Sequence, residues 1–432
     1  MKILFLTENF PPERNAAASR VYERACYWHK WGHEVSIVTG VPNFPEGKVH
    51  AGYRNRLYQV EEMDGIRVVR VKTFVAANSG VVLRILDFLS FMLSGFFAAV
   101  VQLRPDVVVA TSPQFFTAVA GWAASAVRRV PFVFELSDLW PASITAVGAM
   151  RESFALRMLE KVELFLYRRS DRIVALTDSF KSDLVARSIP ASRIDVVRNG
   201  VDIDRYGKRP RGAELAARLG CFDKFVIGYI GTLGMAHALE RVLDAAELLR
   251  DRPEIKFLFV GPGAARDFLI AEAERRRLRN VVFVPGQPKQ TMPSYWSLCD
   301  VALVHLKDTP LFATVIPSKI FEAMGSGCPI LLAGPDGEAA RIVRETRSGL
   351  VIPAENPELL SEAVIRLCDD RKLLTQLAAN SHRAAPLFSR ERQAVDMLES
   401  LKQACGIETP IRIPSSTQSP NSGDGSTAEA TG

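Results

Sequence analysis

Short, wholly apolar runs separated by longer amphipathic stretches recur through most of the 432 residues. In the first half they predict strands at Lys2 to Thr7, Glu34 to Thr39, Ile66 to Val71, Asp106 to Thr111, Pro131 to Glu135 and Arg172 to Thr177. A helix from Ala17 to Trp31, stopped by Gly32, joins the first two into a strand–helix–strand unit. A second series begins near Lys224, with strands at Phe225 to Ile230, Lys256 to Val260, Val281 to Val284, Asp300 to His305, Pro329 to Leu332 and Leu350 to Ile352. Helical patterns fill the gaps at Ala238 to Arg250, Ala265 to Arg277, Met292 to Leu298, Ser318 to Ser326 and Glu338 to Glu345. Strands that are apolar on both faces and alternate with helices predict parallel, doubly wound sheets. The expected fold class is therefore α/β, with two Rossmann-like domains over residues 1–205 and 206–385 facing each other across a cleft. Residues 386–405 read as a helix that crosses back towards the first domain, and 406–432 as a tail too poor in apolar residues to fold.

Two stretches change this picture. Val81 to Leu103 contains sixteen uncharged residues from Phe88 to Leu103, cut off from a longer span by Arg84 and Asp87. A membrane-crossing helix needs about 20 apolar residues. This run is short of that, and fits a helix packed on the sheet or one that dips a face into a bilayer. Met150 to Arg169 adds a strongly amphipathic, partly basic helix.

The net charge of +6 is modest but uneven, gathered at Arg128-Arg129, Arg168-Arg169, Lys208 to Arg211 and Arg275 to Arg279. Such clusters suit anionic surfaces or phosphates. No aromatic residues interleave with them in a nucleic-acid motif, so nucleic acid is not an expected partner. The six cysteines are scattered, with neither a CxxC pair nor metal-ligand spacing. They read as reduced thiols of a cytoplasmic protein, and the first apolar run is too short for a signal peptide.

Ligands of open α/β sheets bind beyond the carboxyl ends of the strands, and the loops there carry the candidate chemistry. Foremost is Ile316-Pro-Ser-Lys-Ile-Phe-Glu322. It reads as a helix start with free amides near Ser318, a cation at Lys319 and a carboxylate at Glu322: amides and cation for a diphosphate, carboxylate for a ribose. Gly231-Thr232-Leu-Gly234 and Gly261-Pro-Gly263 follow strands and would let backbone approach a phosphate. His237 lies one turn past Gly234, and Gln287 ends another strand where it could meet a base edge. On the first domain, Glu135-Leu-Ser-Asp138-Leu-Trp140-Pro141 ends a strand with two carboxylates and an indole.

Taken in order, several segments resemble the family 4 retaining glycosyltransferases of the GT-B fold over about residues 1–405. They are Pro11-Pro12, Trp31-Gly-His-Glu-Val-Ser-Ile-Val-Thr39, Arg198-Asn-Gly-Val-Asp202, Gly228-Tyr-Ile-Gly-Thr-Leu233, Phe259-Val-Gly-Pro-Gly263 and Pro317-Ser-Lys-Ile-Phe-Glu322 with Met324 to Ile330. Asn43 to Lys48, Asp138-Leu-Trp-Pro141 and Gly234-Met-Ala-His237 further resemble the branch that builds bacterial surface polysaccharides from N-acetylated amino sugars. The resemblance implies a UDP-sugar donor on the second domain and an acceptor on the first, with no metal or other cofactor. It makes Glu322 the ribose ligand and puts Gly231 and the amides around Ser318 at the diphosphate. On chemical grounds Lys319 is expected to stabilise the leaving group, with Asp138 and Glu135 orienting substrates or assisting proton transfer. Asn15, Ser19 and Trp140 fall on the acceptor side. The acceptor expected is a saccharide or a polyprenyl-diphosphate-linked sugar, met on the cytoplasmic face of the inner membrane. The chain departs from the family at Thr314, where many members carry a first Glu, and at Asn15 to Ser19, where a Gly-Gly pair is common. It also lacks the usual Arg/Lys pair after Gly231, leaving His237 and Lys319 as substitutes. A UDP-sugar epimerase of the same fold and a non-catalytic nucleotide-sugar-binding subunit are the alternative readings.

Overall fold

The computed structural model describes residues 1–13, 15–44, 46–75, 81–112, 115–139 and 154–408. The first sheet is built on β1 (Lys2–Leu6), β2 (Glu34–Gly40), β3 (Tyr58–Met63), β4 (Ile66–Val71), β5 (Val107–Thr111), β6 (Phe132–Leu136), β7 (Arg172–Ala175) and β8 (Ile194–Val196). Its order is β3-β4-β2-β1-β5-β6-β7-β8, parallel throughout except for β3. β1 lies centrally, Leu4 facing Ser36 of β2 on one side and Val108 of β5 on the other. Its apolar side chains are enclosed on both faces, as a central parallel strand requires.

Helices α1 (Ala16–Lys30), α2 (Val81–Val100), α3 (Phe115–Arg128), α4 (Phe154–Arg169) and α5 (Asp178–Ala186) flank this sheet. α2 stops at Val100, short of the predicted Leu103, and leaves Leu93 and Phe97, with Val101 just beyond, more than half exposed. α4 shows Phe154 and Met158 to solvent, while Phe165 packs edge-on against Trp122 of α3 at 4.8 Å. Among the described residues no helix is long and apolar enough to cross a membrane. The start predicted for the amphipathic helix at Met150 lies outside the described residues, as does the tail from 409 onward.

The second sheet comprises β9 (Phe225–Ile230), β10 (Ile255–Val260), β11 (Val281–Val284), β12 (Val301–His305), β13 (Ile330–Ala333) and β14 (Gly349–Ile352). It is wholly parallel, in the order β11-β10-β9-β12-β13-β14. Around it lie α6 (Ala213–Arg218), α7 (Glu240–Leu248), α8 (Arg266–Arg275), α9 (Met292–Trp296), α10 (Pro310–Ala313), α11 (Lys319–Gly325), α12 (Glu338–Glu345), α13 (Pro357–Asp369) and α14 (Arg371–Ala384).

The last helix, α15 (Arg390–Ala404), packs on the first domain. Its Met397, Leu398 and Leu401 are fully buried with Phe5 and Trp28, and the Trp28 indole donates to the Ala394 carbonyl at 2.9 Å. Burying each such side chain contributes about 1.5–3 kcal/mol. The two connecting segments cross at Val201, whose amide donates to Phe388 O at 2.8 Å while its carbonyl accepts from the Arg390 amide at 2.9 Å. A Cβ on Gly200 would lie 2.7 Å from the Phe388 carbonyl oxygen, so only glycine fits the crossing.

Candidate active site

The carboxyl ends of β9 and β10 turn into two glycine loops laced together. The Gly231 amide donates to Val260 O at 2.9 Å, and that of Leu233 to Pro262 O at 2.8 Å. A Cβ on Gly261 would sit 2.0 Å from Gly231 O, and one on Gly263 2.2 Å from Leu233 O. Both glycines also have φ near +150°, a backbone that side chains rarely adopt. The Gly231 amide, expected at a diphosphate, is thus taken by Val260. What Gly231 supplies is space, since a Cβ there would lie 3.2 Å from Lys319 Nζ. Thr232 is exposed, and its carbonyl accepts the Tyr229 hydroxyl at 2.9 Å. Gln287, in the loop after β11, donates its side-chain amide to Pro285 O at 3.1 Å. The adjacent Gly286 abuts Pro262.

Lys319 opens α11 immediately after Ser318. Its side chain is 8% exposed, with Nζ 3.4 Å from the centroid of the Tyr229 ring and no hydrogen-bond acceptor among the described residues. A buried ammonium over an aromatic face recovers about 2 kcal/mol, far less than the loss of hydration. Burial therefore draws the Lys319 pKa from 10.5 down to about 7, against the opposing pull of Glu322. One turn on, Glu322 is enclosed by protein but keeps a partly exposed edge. Burial pushes its carboxyl up, and the Trp296 indole donates to Oε2 at 3.3 Å. Thr314, at the place of the family's first Glu, turns its hydroxyl to Leu311 O at 2.8 Å.

His237, in a short turn after Gly234, pairs with His305 at the end of β12. His237 Nδ1 lies 3.3 Å from His305 O, and His305 Nδ1 2.7 Å from His237 O. Burial, then the Lys319 charge, lowers the His237 pKa to about 4.

On the first domain Glu135 takes a different place from the one expected. It is 1% exposed, with both oxygens held by Arg24 at 2.8 and 2.9 Å, and Arg20 Nε lies 3.4 Å away. The two guanidiniums outweigh burial and hold its pKa at about 2. A carboxylate so paired is a poor proton carrier; it anchors Arg20, which reaches Ser137 Oγ at 2.5 Å and Asn199 Oδ1 at 3.4 Å. Asp138 is partly exposed nearby, its amide 3.3 Å from Ser112 Oγ. Asn15 caps α1 by accepting the Ala18 amide at 2.8 Å, so its side chain is committed to the helix, and Ser19 is partly exposed in the first turn. Trp140 lies outside the described residues.

Sequence reasoning missed Glu13 and Glu23. Glu13 is 5% exposed and accepts the amides of Asn43 and Phe44 at 2.8 and 2.9 Å, tying the loops after β1 and β2 together. Glu23 on α1 meets Lys289 of the second domain at 2.6 Å, Arg205 of the linker at 3.0 Å and Arg390 of α15 at 2.8 Å. Farther along the cleft, Ser179 donates its amide and hydroxyl to Glu338 at 2.6 and 2.8 Å, and Asp178 pairs with Arg341 at 2.6 Å. Nothing local marks a helix-surface Glu as a domain tie; only the fold brings its partners near.

Residues 15–200 match the glycosyl transferase 4-like domain and residues 219–384 the glycosyl transferases group 1 domain. A protein of Escherichia coli (strain K12) named for colanic acid biosynthesis, the glycosyl transferase WcaI, is 26% identical over 84% of this chain and 90% of its own length. The GDP-mannose-dependent alpha-mannosyltransferase of Mycobacterium tuberculosis (strain CDC 1551 / Oshkosh) is also 26% identical, over 88% and 92%. Among solved structures, Anabaena Alr3699/HepE in complex with UDP superposes with a TM-score of 0.70 at 20% identity, covering 93% of this chain and all of that one. Two domain matches in the right order and the shared two-sheet architecture agree: the chain belongs to the family 4 glycosyltransferases of the GT-B fold.

Proposed function

We propose that this glycosyltransferase moves a sugar, an N-acetylated amino sugar by its motifs, from a UDP donor onto a lipid-linked or saccharide acceptor during bacterial surface-polysaccharide synthesis, with retention. The observation that carries the donor half is Lys319, a buried ammonium without a hydrogen-bond acceptor at the cleft. An arriving anion would repay the desolvation of the charged form, which burial otherwise drives towards the neutral amine. Support for UDP comes from the HepE complex, and support for polysaccharide work from WcaI and from the Bacillus subtilis protein named for teichuronic acid biosynthesis, TuaH.

In this reading Lys319 faces the departing diphosphate as the bond from the anomeric carbon to the phosphate oxygen breaks. The acceptor oxygen bonds to the same face of that carbon, and its proton passes to the leaving phosphate oxygen. Glu322 accepts hydrogen bonds from the ribose hydroxyls. Asp138 orients the acceptor, and Glu135 serves by fixing Arg20. Positive charge from Lys319 makes a metal unnecessary, so turnover should survive EDTA.

Membrane contact belongs to the same reading. The exposed Leu93, Phe97 and Val101 of the α2 region, with Phe154 and Met158 of α4, would rest in the cytoplasmic leaflet of the inner membrane. Arg128 and Arg169, at the ends of α3 and α4, would meet anionic head groups.

The deciding experiment is a thermal-shift panel of UDP, GDP and dTDP with their sugars, followed by product analysis. Stabilisation by UDP and one UDP-sugar, lost in Glu322→Ala, is expected, with an α-linked product from an α-linked donor by NMR. A GDP-only response would overturn the donor, free sugar without acceptor would indicate the epimerase, and an inverted product would overturn retention.

A further inference from the structure

His237 and His305 fix each other's hydrogen positions. Each presents Nδ1 to the other's backbone carbonyl, at 3.3 and 2.7 Å. A carbonyl oxygen only accepts, so both Nδ1 atoms carry hydrogen, and a neutral ring then has a bare lone pair at Nε2. His305 is 1% exposed and internal. His237 is only partly buried, and among the described residues its Nε2 has no hydrogen-bond partner.

The ring stands edge-on to Tyr229, with 5.9 Å between centroids, and Lys319 Nζ lies over the Tyr229 face. Tyr229 therefore contacts both a cation, at the start of α11, and a neutral acceptor, in the turn that follows β9. A second proton on His237 is opposed by burial and by Lys319, so the ring stays neutral at physiological pH. Ionised diphosphate oxygens are acceptors and have nothing to give a bare Nε2. In the ligand-free protein the neutral ring thus carries no charge with which to serve as the substitute cation expected of His237. Hydroxyl and acetamido N–H groups of a sugar are donors, and fit.

We propose that His237 is a specificity-determining residue that accepts, through Nε2, a hydrogen bond from a hydroxyl or amide N–H of the donor sugar, while Lys319 meets the diphosphate. This rests on the UDP-sugar reading of the same cleft.

Two variants separate the two ends of the imidazole. His237→Asn places its terminal atoms where Nδ1 sits, keeping the bond to His305 and deleting the Nε2 acceptor. His237→Gln reaches the ε position and offers an oxygen there. Calorimetry would compare UDP with UDP-glucose, UDP-galactose, UDP-N-acetylglucosamine and UDP-N-acetylgalactosamine, and carry forward the sugar that adds most affinity over UDP. UDP affinity should be unchanged in both variants, which also reports an intact fold. The extra affinity due to the sugar should fall about three- to tenfold in the Asn variant, the worth of one neutral hydrogen bond, and persist in the Gln variant. Glucose chosen over N-acetylglucosamine would indicate a hydroxyl as the group read; the reverse order would indicate the acetamido N–H. An equal loss for UDP and UDP-sugar would overturn the proposal in favour of a phosphate or packing role. Loss in Gln with retention in Asn would overturn it too, showing that only the His305 bond matters. Wild-type protein that ignores UDP would instead defeat the donor reading itself, before any variant is made.

Discussion

Replacing Lys319 with Met keeps the side chain's length and removes the charge, which makes it a direct measure of how far burial strains this site. In the unfolded chain the amine holds its proton up to about 10.5, whereas in the folded protein it releases it near 7. Between those values the unfolded state binds more protons, so the stability of the ligand-free protein rises with pH across that window. Below about pH 7 both states are protonated and the full penalty is present. Drawing the amine from 10.5 down to about 7 corresponds to about 5 kcal/mol as an upper bound, and water entering the cleft will reduce it. Denaturant unfolding at pH 6, 8 and 10 should show Lys319→Met more stable than wild type by a few kcal/mol at pH 6, the gap closing towards pH 10. Saturating UDP should close the gap at pH 6 as well, because the anion then partners the ammonium. Calorimetry of UDP binding at pH 8 in buffers of different ionisation enthalpy should register uptake of close to one proton. A stability difference that stays flat from pH 6 to 10, together with binding that takes up no proton, would refute a strained, half-titrated lysine.

Further outcomes follow from neighbouring geometry. Arg24→Met leaves Glu135 buried with one of its two guanidiniums gone and should cost about 3–5 kcal/mol by denaturant midpoint, with much of the loss recovered in the double variant carrying Glu135→Leu. Glu322→Ala should weaken UDP binding about ten- to a hundredfold by calorimetry, as removal of charged hydrogen bonds does, with a smaller effect on inorganic diphosphate. Leu398→Ala, late in the chain, should destabilise by about 2–5 kcal/mol, because that side chain is fully buried in the first domain's core. Leu93→Ser with Phe97→Ser should abolish pelleting with anionic vesicles while leaving UDP affinity intact.

The parallel strands were legible because burial on both faces leaves a continuous apolar run. Val281–Val284 and Ile66–Val71 were bounded correctly from that signal alone. β3 escaped it. An edge strand exposes alternate residues and shows no apolar run, and its real marker was Asp64-Gly65, two positive-φ residues suited to a two-residue hairpin. β8 is three residues long and too short to register. In the site, Lys319 and Glu322 were legible because residue type and helical spacing carry the chemistry. Tyr229 was not, since within an apolar strand it reads as core. Glu135 read as exposed chemistry because its partners, Arg20 and Arg24, lie more than a hundred residues away in sequence.

Glu23 offers its carboxylate to cations from three separate stretches of chain: the linker, the second domain and the returning helix. Attraction to this shared group, with Asp202 helping to hold Arg205 at 3.1 Å, offsets the repulsion among Arg205, Lys289 and Arg390, so its loss would do more than remove a contact. Neutralised in Glu23→Gln, the joint would keep only Asp202 against three cations, and their repulsion should loosen the hold between the two halves. The same logic predicts that rising ionic strength weakens this joint, since partly exposed pairs are screened. An enzyme limited by reopening after each turnover would then run faster as salt rises, while its hold on the donor slackens.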